Sequence, residues 1–197
     1  WERYMKLSKI LAIGIVVSGV IILGIGLFQI WDMEKQEQVS LAAAKELVQE
    51  NKPKANKKEF MPVTGEASGL LLIPKINAEL AIVEGTDADD LEKGVGHYKG
   101  SFYPEENGQI VLSGHRDTVF RKAGDLELGD HLTMKMPYGD YTYEITGTKI
   151  VSANDTSIIT LQNSEEELIL TTCYPFSYVG DAPDRYIIYA KRILDKN

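Results

Sequence analysis

The chain has one cysteine, three histidines and fewer basic than acidic residues, and each shortage excludes a class of protein. Cys173 is alone and cannot form a disulfide within the chain, so no disulfide framework supports the fold. The histidines have no Cys, Asp or Glu at the spacing of a zinc site, and we predict no required metal and no cofactor. The net charge of −8 argues against nucleic-acid binding, which depends on neutralising phosphates.

Charged residues are absent from segment 10–31, an apolar run long enough to cross a bilayer core as one helix. Trp31 suits an anchor at the membrane interface. Basic residues precede the run, within residues 1–9, and acidic residues follow it. The positive-inside rule therefore predicts a single-pass plasma-membrane protein whose N-terminus is cytoplasmic and whose remaining chain, after Trp31, is extracellular.

A cleaved signal peptide is the competing interpretation, with the three alanines at 42–44 as a candidate cleavage site. The apolar run argues against it, because it is longer than the roughly 7 to 15 residues usual in a signal peptide. The alanines also lie beyond a charged segment instead of directly after the run. The sequence leaves open whether Met5 is the native start.

Segment 32–62 is polar and charged, with a helix-favouring patch at 40–48. We interpret the segment as an extracellular stem that holds the following domain away from the membrane. The lysines between positions 52 and 58 are either solvated or in contact with membrane lipid headgroups or anionic wall polymer.

Residues 63–197 are sufficient for one domain with a single core. They contain 12 Lys and Arg against 22 Asp and Glu, a net charge of −10. Short β-forming runs separated by turn residues predict a mostly β barrel or sandwich. One helix is predicted at 87–93, with Thr86 or Asp87 as its N-cap and Gly94 as its stop. The predicted strands are 69–73, 80–84, 109–112, 131–136, 141–151, 167–172 and 185–193.

Cys173 lies where the predicted strand 167–172 ends, an exposed and geometrically fixed position for a nucleophile. His115 also follows a predicted strand, and Arg185 opens the strand that comes after the next loop. Two strands joined by that loop bring Cys173 and Arg185 face to face. A Cys and a His that are distant in sequence but both at strand ends are the pair that a thiol nucleophile needs. The alternative for Cys173 is a small buried apolar side chain.

Three motifs together resemble the sortase family: segment 169–173 with the sequence Ile-Leu-Thr-Thr-Cys, the later Arg185, and the pair Gly-His that ends at His115. The usual sortase motif is Thr-Leu-x-Thr-Cys, so this chain departs from it at the first position, which concerns strand packing more than chemistry. Segment 174–187 is most similar to class D sortases. The resemblance covers roughly residues 69–197.

This resemblance implies an eight-stranded β-barrel with short helices, held at the membrane by the N-terminal helix. It also implies a cysteine transpeptidase that cleaves a Leu-Pro-x-Thr-Gly-like sorting signal of surface proteins and transfers the acyl group to a cell-wall peptide amine or a pilin lysine. In such an enzyme Cys173 forms a thioester, His115 moves protons, and Arg185 holds the substrate or the oxyanion. Thr172 and Tyr174 are the candidate substrate-binding residues.

Two alternatives stay open: a surface thiol protease that uses water as the acceptor, and a non-catalytic wall-binding β-domain in which Cys173 is buried. If the chain is an enzyme, its groove is expected between the strands that end at Thr172 and begin at Arg185 and the long connection 151–167.

The remaining histidines and acidic residues are interpreted as structural. His97 has no neighbouring motif, and His131 opens a strand at the surface. The acidic run 165–167, with Asp155, bears a resemblance to the calcium-responsive loop of some sortases, but a solvated loop is the preferred interpretation.

Overall fold

The computed structural model describes residues 2–49, 55–178 and 180–194, and the chain forms two compact units, Trp1–Gln36 and Glu37–Asn197. Helix α1 (Glu2–Leu47) makes up the first unit and continues into the second. It contains a stretch with a mean hydropathy of 2.7, and among the described residues it is the one helix long and apolar enough to cross a membrane. A helix suits that environment because it satisfies its own backbone hydrogen bonds.

The second unit contains a closed barrel of eight strands. The strands are β1 (Ala67–Ile73), β2 (Ala78–Glu84), β3 (Val95–His97), β4 (Gln109–Ser113), β5 (His131–Met136), β6 (Gly139–Ser152), β7 (Glu167–Tyr174) and β8 (Asp184–Arg192). Their order around the barrel is β1-β2-β3-β4-β7-β8-β6-β5, and β5 pairs with β1 to close it. The pairs β2/β3 and β4/β7 are parallel, and the others are antiparallel. This architecture confirms the predicted mostly β, eight-stranded barrel.

An apolar core fills the barrel, because successive side chains of a strand point to opposite faces. In β5 the side chains of Leu132, Met134 and Met136 are buried, while those between them are half-buried. Tyr143 and Phe120 are the largest fully buried side chains. Closure leaves no free sheet edge, so strand ends and loops are the places left for functional groups.

The last turns of α1 pack on the outside of this barrel. Ala44 is fully buried in a cluster with Leu70, Ala81 and Val83. These three residues lie on the outer face of β1 and β2, since their neighbours along each strand belong to the core inside the barrel. The helix-favouring patch predicted at 40–48 is therefore helical, and it covers apolar surface of the barrel.

The structure differs from the predicted elements mainly at β3, which the prediction lacks. Its three residues include Gly96 and His97, so no run of β-forming residues marks it. The predicted helix 87–93 is α2 (Ala88–Leu91), and its N-cap is Asp87, one of the two candidates. Short 3₁₀ helices are formed by Lys57–Glu59, Pro74–Ile76 and Ala123–Asp125.

His97 is structural, as predicted. Its side chain is 1% exposed, and its Nδ1 lies 2.7 Å from Glu84 Oε2 while its Nε2 lies 3.0 Å from the carbonyl oxygen of Phe102. Tyr103 donates a second hydrogen bond to the same Glu84 oxygen at 2.6 Å. Burial alone raises the pKa of Glu84, but the hydrogen bonds from His97 and Tyr103 outweigh burial and hold that pKa below its usual range.

The acidic run 165–167 is not a solvated loop, so that interpretation is wrong for Glu166. Its carboxylate is 7% exposed; it accepts a hydrogen bond from Tyr143 Oη at 2.6 Å and pairs with Arg192 at 3.1 Å. Glu165 remains exposed and pairs with Lys191. Within the described residues no group of three His, Cys, Asp or Glu side chains is arranged to hold a metal ion.

The packing of α1 on the barrel predicts different effects for two adjacent alanines. Ala44→Asp introduces a carboxylate into the cluster with Leu70, where it has no partner, whereas Ala43→Asp adds the same charge at an exposed position of the same helix. We expect faster amide exchange of residues 41–48 and a lower thermal midpoint in the detergent-solubilised Ala44→Asp chain, and neither change in Ala43→Asp. Equal amide exchange in the two variants contradicts the packing of Ala44 on the barrel.

Candidate active site

Cys173 is the second-last residue of β7, which continues past the predicted end and stops at Tyr174. Along this strand Leu168 and Leu170 belong to the core inside the barrel, whereas Ile169 belongs to a separate cluster on the outer face. Cys173 shares the outer face with Ile169, because side chains at even spacing on a strand lie on one side. The thiol is free and half-buried, which differs from the fully buried alternative.

Arg185 lies directly opposite Cys173 in the antiparallel pair of β7 and β8, so the expectation that the two residues face each other is confirmed. Directly opposed residues have Cβ atoms about 4.5 to 5.5 Å apart and side chains on the same face. The Nη1 group of Arg185 donates hydrogen bonds to the carbonyl oxygens of Asp184 at 3.0 Å and Ala182 at 3.2 Å. These partners are neutral, so the guanidinium keeps its net charge.

His115 follows β4, which runs parallel to β7 with Ser113 opposite Thr171. The backbone N–H of Gly114 donates to the Thr171 carbonyl at 3.1 Å, which extends the ladder by one residue. The Thr172 hydroxyl donates to the Gly114 carbonyl at 2.8 Å. These two bonds fix the backbone immediately before His115 against the end of β7.

One groove of about 300 Å³ brings the three predicted residues together. It lies at the end of β7, between β4 and β8, and among the described residues no carboxylate lines it, even though the domain is acidic. A cationic side chain in such a groove can stabilise an oxyanion that forms beside it. The lining residues are Thr86, Leu91, Ser113, Gly114, His115, Thr171, Thr172, Cys173 and Arg185.

Thr86 and Leu91 were not identified from the sequence as groove residues. They lie after β2 and in α2, and they form the wall on the side of β4. The available sequence signal was an apolar side chain, Leu91, in a helix rich in acidic residues. Their proximity to the site results from the pairing of β3 between β2 and β4, which the prediction lacked.

The connection 151–167 does not line the groove, so the expectation that it forms a wall is wrong. Ile158 of this connection covers Ile169 and Ile187 on the same outer face of the sheet, beside the groove. The buried side chain of Gln109 fixes the connection, because it accepts hydrogen bonds from the backbone N–H groups of Thr160 and Leu161 and donates to the Ile158 carbonyl. Gln109 was also missed, since a polar residue that opens a strand carries no distinctive sequence signal.

The two candidate substrate-binding residues occupy different environments. Thr172 lines the groove, but it is 5% exposed and its hydroxyl is used by Gly114. Tyr174 is half-buried outside the lining and packs with Phe176 and Tyr186 at ring centroid distances of 5.6 and 6.1 Å. Tyr174 therefore supports the strand end that carries Cys173.

A thiol, an imidazole and a guanidinium in one groove of a closed β-barrel are the groups expected of a cysteine enzyme of the acyl-transfer type. The sortase domain model matches residues 71–193, which include all three side chains. The chain belongs to the sortase family, and it is a cysteine transpeptidase.

The relatives agree with this assignment. Sortase D of Bacillus subtilis is 58% identical over 199 residues, which cover 95% of this chain and 100% of that protein. The solved structure of a Clostridium perfringens Sortase D5 transpeptidase matches with a TM-score of 0.71 and 30% identity, covering 81% of this chain and 99% of that one. A Clostridium perfringens sortase C with the C-terminal cell wall sorting motif matches with a TM-score of 0.62 and 25% identity, covering 84% and 90% of the two chains.

Proposed function

We propose that this sortase cleaves a Leu-Pro-x-Thr-Gly-like sorting signal of surface proteins, holds the acyl group as a thioester on Cys173, and transfers it to an amine. The acceptor is a cell-wall peptide amine or a pilin lysine. The observation that carries the proposal is the groove that contains His115, Cys173 and Arg185 together. The similarity to a sortase C solved with a cell wall sorting motif supports the choice of substrate class.

The proposed reaction has two acyl transfers. The Cys173 thiolate attacks the carbonyl carbon before the scissile bond, and collapse of the tetrahedral intermediate breaks the C–N bond while His115 gives a proton to the leaving amine. The incoming amine then attacks the thioester, His115 accepts a proton from it, and the Cys173 thiolate leaves. The enzyme returns to its starting protonation state, and one amide bond replaces another.

Arg185 is proposed to bind the substrate carbonyl and the oxyanion. Its Nη1 is occupied by two backbone carbonyls, so the guanidinium is held in one orientation. Among the described residues Nε and Nη2 have no hydrogen-bond partner, which leaves donors of the planar fork for the substrate. Thr172 is proposed to contribute to the floor of the groove, and Tyr174 to its outer rim.

We infer that the chain consists of a cytoplasmic tail at 1–9, a membrane helix at 10–31, an extracellular stem at 32–62 and a catalytic domain at 63–197. The apolar part of α1 is consistent with a single-pass anchor. The proposed orientation rests on the basic residues before the helix and the acidic residues after it.

The proposed function predicts one product for the full-length enzyme mixed with a Leu-Pro-x-Thr-Gly peptide and a small amine. We expect mass spectrometry to detect the new amide and, after acid quenching, an acylated enzyme whose added mass is absent from Cys173→Ala. A free acid as the sole product supports a thiol protease that uses water. No cleavage across a panel of peptide variants supports the non-catalytic alternative and contradicts the proposal.

The role of Arg185 predicts that its charge alone is insufficient. Arg185→Lys keeps the charge but presents a compact ammonium, so loss of the oriented donors should lower kcat by about 10²-fold or more, as in other oxyanion sites. Arg185→Ala should lower it at least as far. Both variants should keep the wild-type thermal midpoint, and Cys173 should remain open to alkylation in both. Near-normal turnover of Arg185→Ala removes this residue from the proposed mechanism.

The proposed topology predicts which part of the chain is accessible on intact cells. Protease added from outside should remove the domain from Val63 onward, while an epitope placed before Arg3 stays protected. A secreted chain that begins near Lys45 indicates instead that the apolar segment is a cleaved signal peptide.

A further inference from the structure

We propose that Arg116 is a positioning residue that ties the loop carrying His115 to the connection between Cys173 and Arg185. The inference rests on the proposed roles of these three residues. Arg116 follows His115 directly in the chain, yet its own side chain is outside the lining of the groove. It acts through its neighbours and does not touch the reacting atoms.

The guanidinium of Arg116 spans the β7–β8 connection. Its Nη1 donates to the carbonyl oxygen of Pro175 at 3.3 Å, and its Nη2 donates to that of Gly180 at 2.8 Å. The same group lies 5.8 Å from the centre of the Tyr178 ring, within cation–π range. One half-buried side chain thus holds both ends of the segment 175–180.

Arginine is suited to this position because it offers several donors in one plane. Two carbonyl groups that lie several residues apart can each receive a separate N–H group of the fork. Lysine presents one ammonium at the end of a flexible chain and does not reproduce the two directed bonds. Within the described chain the hydrogen-bond partners of Arg116 are carbonyl oxygens, so its binding depends on geometry more than on neutralising a carboxylate.

Two further contacts join the loop that follows β4 to the end of β7 and to the β7–β8 connection. Near the strands, the Thr172 hydroxyl binds the Gly114 carbonyl. Farther out, the Phe176 ring packs on Gly124 so closely that a Cβ atom at Gly124 would lie 2.8 Å from the ring. Arg116 provides a third contact between the same two loops, at the residue adjacent to the His115 imidazole.

Arg121 is a matched control within the same loop. Its Nε and Nη2 donate to the Asp117 carbonyl at 2.8 and 2.5 Å, a local contact that does not reach the β7–β8 connection. Removing either arginine changes the net charge of the domain by the same amount. Arg116→Lys keeps the charge at the same position, so a loss shared by Arg116→Ala and Arg116→Lys but absent from Arg121→Ala reports the contact between the loops and not the charge.

The test compares Arg116→Ala, Arg116→Lys and Arg121→Ala in the full-length enzyme with peptide and amine. We expect kcat/KM to fall by about 10- to 100-fold in both Arg116 variants, because a misplacement of about 1 Å is sufficient for such a loss. Arg121→Ala should change it by less than about twofold, as an exposed substitution. The pH profile of kcat/KM is expected to change its shape in the Arg116 variants. A lower fraction of folded enzyme would instead reduce kcat/KM by the same factor at every pH.

A second measurement separates this inference from the proposed substrate. Amide exchange of residues 174–184 and the pH profile of Cys173 alkylation need no peptide. We expect both to change in Arg116→Ala and neither in Arg121→Ala, even if the peptide chosen is not cleaved by the wild type. If the wild type forms the amide but Arg116→Ala and Arg121→Ala show the same kcat/KM, amide exchange and alkylation profile, the positioning role is overturned. The transpeptidase proposal then remains intact.

Discussion

The position of β7 between β4 and β8 is the constraint on which the site depends. Because β4 and β7 are parallel, the residues that follow both strands lie at the same end of the sheet, which brings His115 near Cys173. Because β8 is antiparallel to β7, its first residues lie at that same end, which places Arg185 opposite Cys173. Three residues that are distant in the chain meet because of strand directions alone.

Side-chain hydrogen bonds to backbone carbonyls hold this end of the barrel together. Thr172 binds Gly114, Arg116 binds the β7–β8 connection, and Arg185 binds the turn that precedes it. A single bond of this kind contributes on the order of 1 kcal/mol to stability, so each can be lost without unfolding a barrel whose core is elsewhere. The site can therefore respond to substitution separately from the fold.

The sequence was sufficient for the features that depend on local pattern. Seven strands followed from runs of β-forming residues, and capping rules narrowed the N-cap of α2 to Thr86 or Asp87. The opposition of Cys173 and Arg185 followed from an antiparallel pair joined by one loop. The strand runs left a barrel or a sandwich open, and the eight-stranded barrel was implied by the family resemblance. β3 was missed because a three-residue strand with a glycine leaves no pattern.

Features that depend on pairing between distant elements could not be predicted in the same way. Thr86 and Leu91 reach the groove only because β3 joins β2 to β4. Glu166 was interpreted as part of a solvated acidic run, because its contacts with Tyr143 and Arg192 arise only in the folded barrel. No sequence pattern marks the role of Arg116, since its two partners lie about sixty residues later.

The arginines near the groove explain how an acidic domain can carry a site that favours negative charge. Carbonyl oxygens bind the guanidinium groups of both Arg116 and Arg185, and Arg185 lies directly opposite Cys173. Where neutralisation is needed, as at Arg192 beside buried Glu166, the partner is a carboxylate. A planar fork allows some donors to bind the protein while others face the substrate. An ammonium presents its donors from one point, so orientation and charge are both retained only by arginine at these positions.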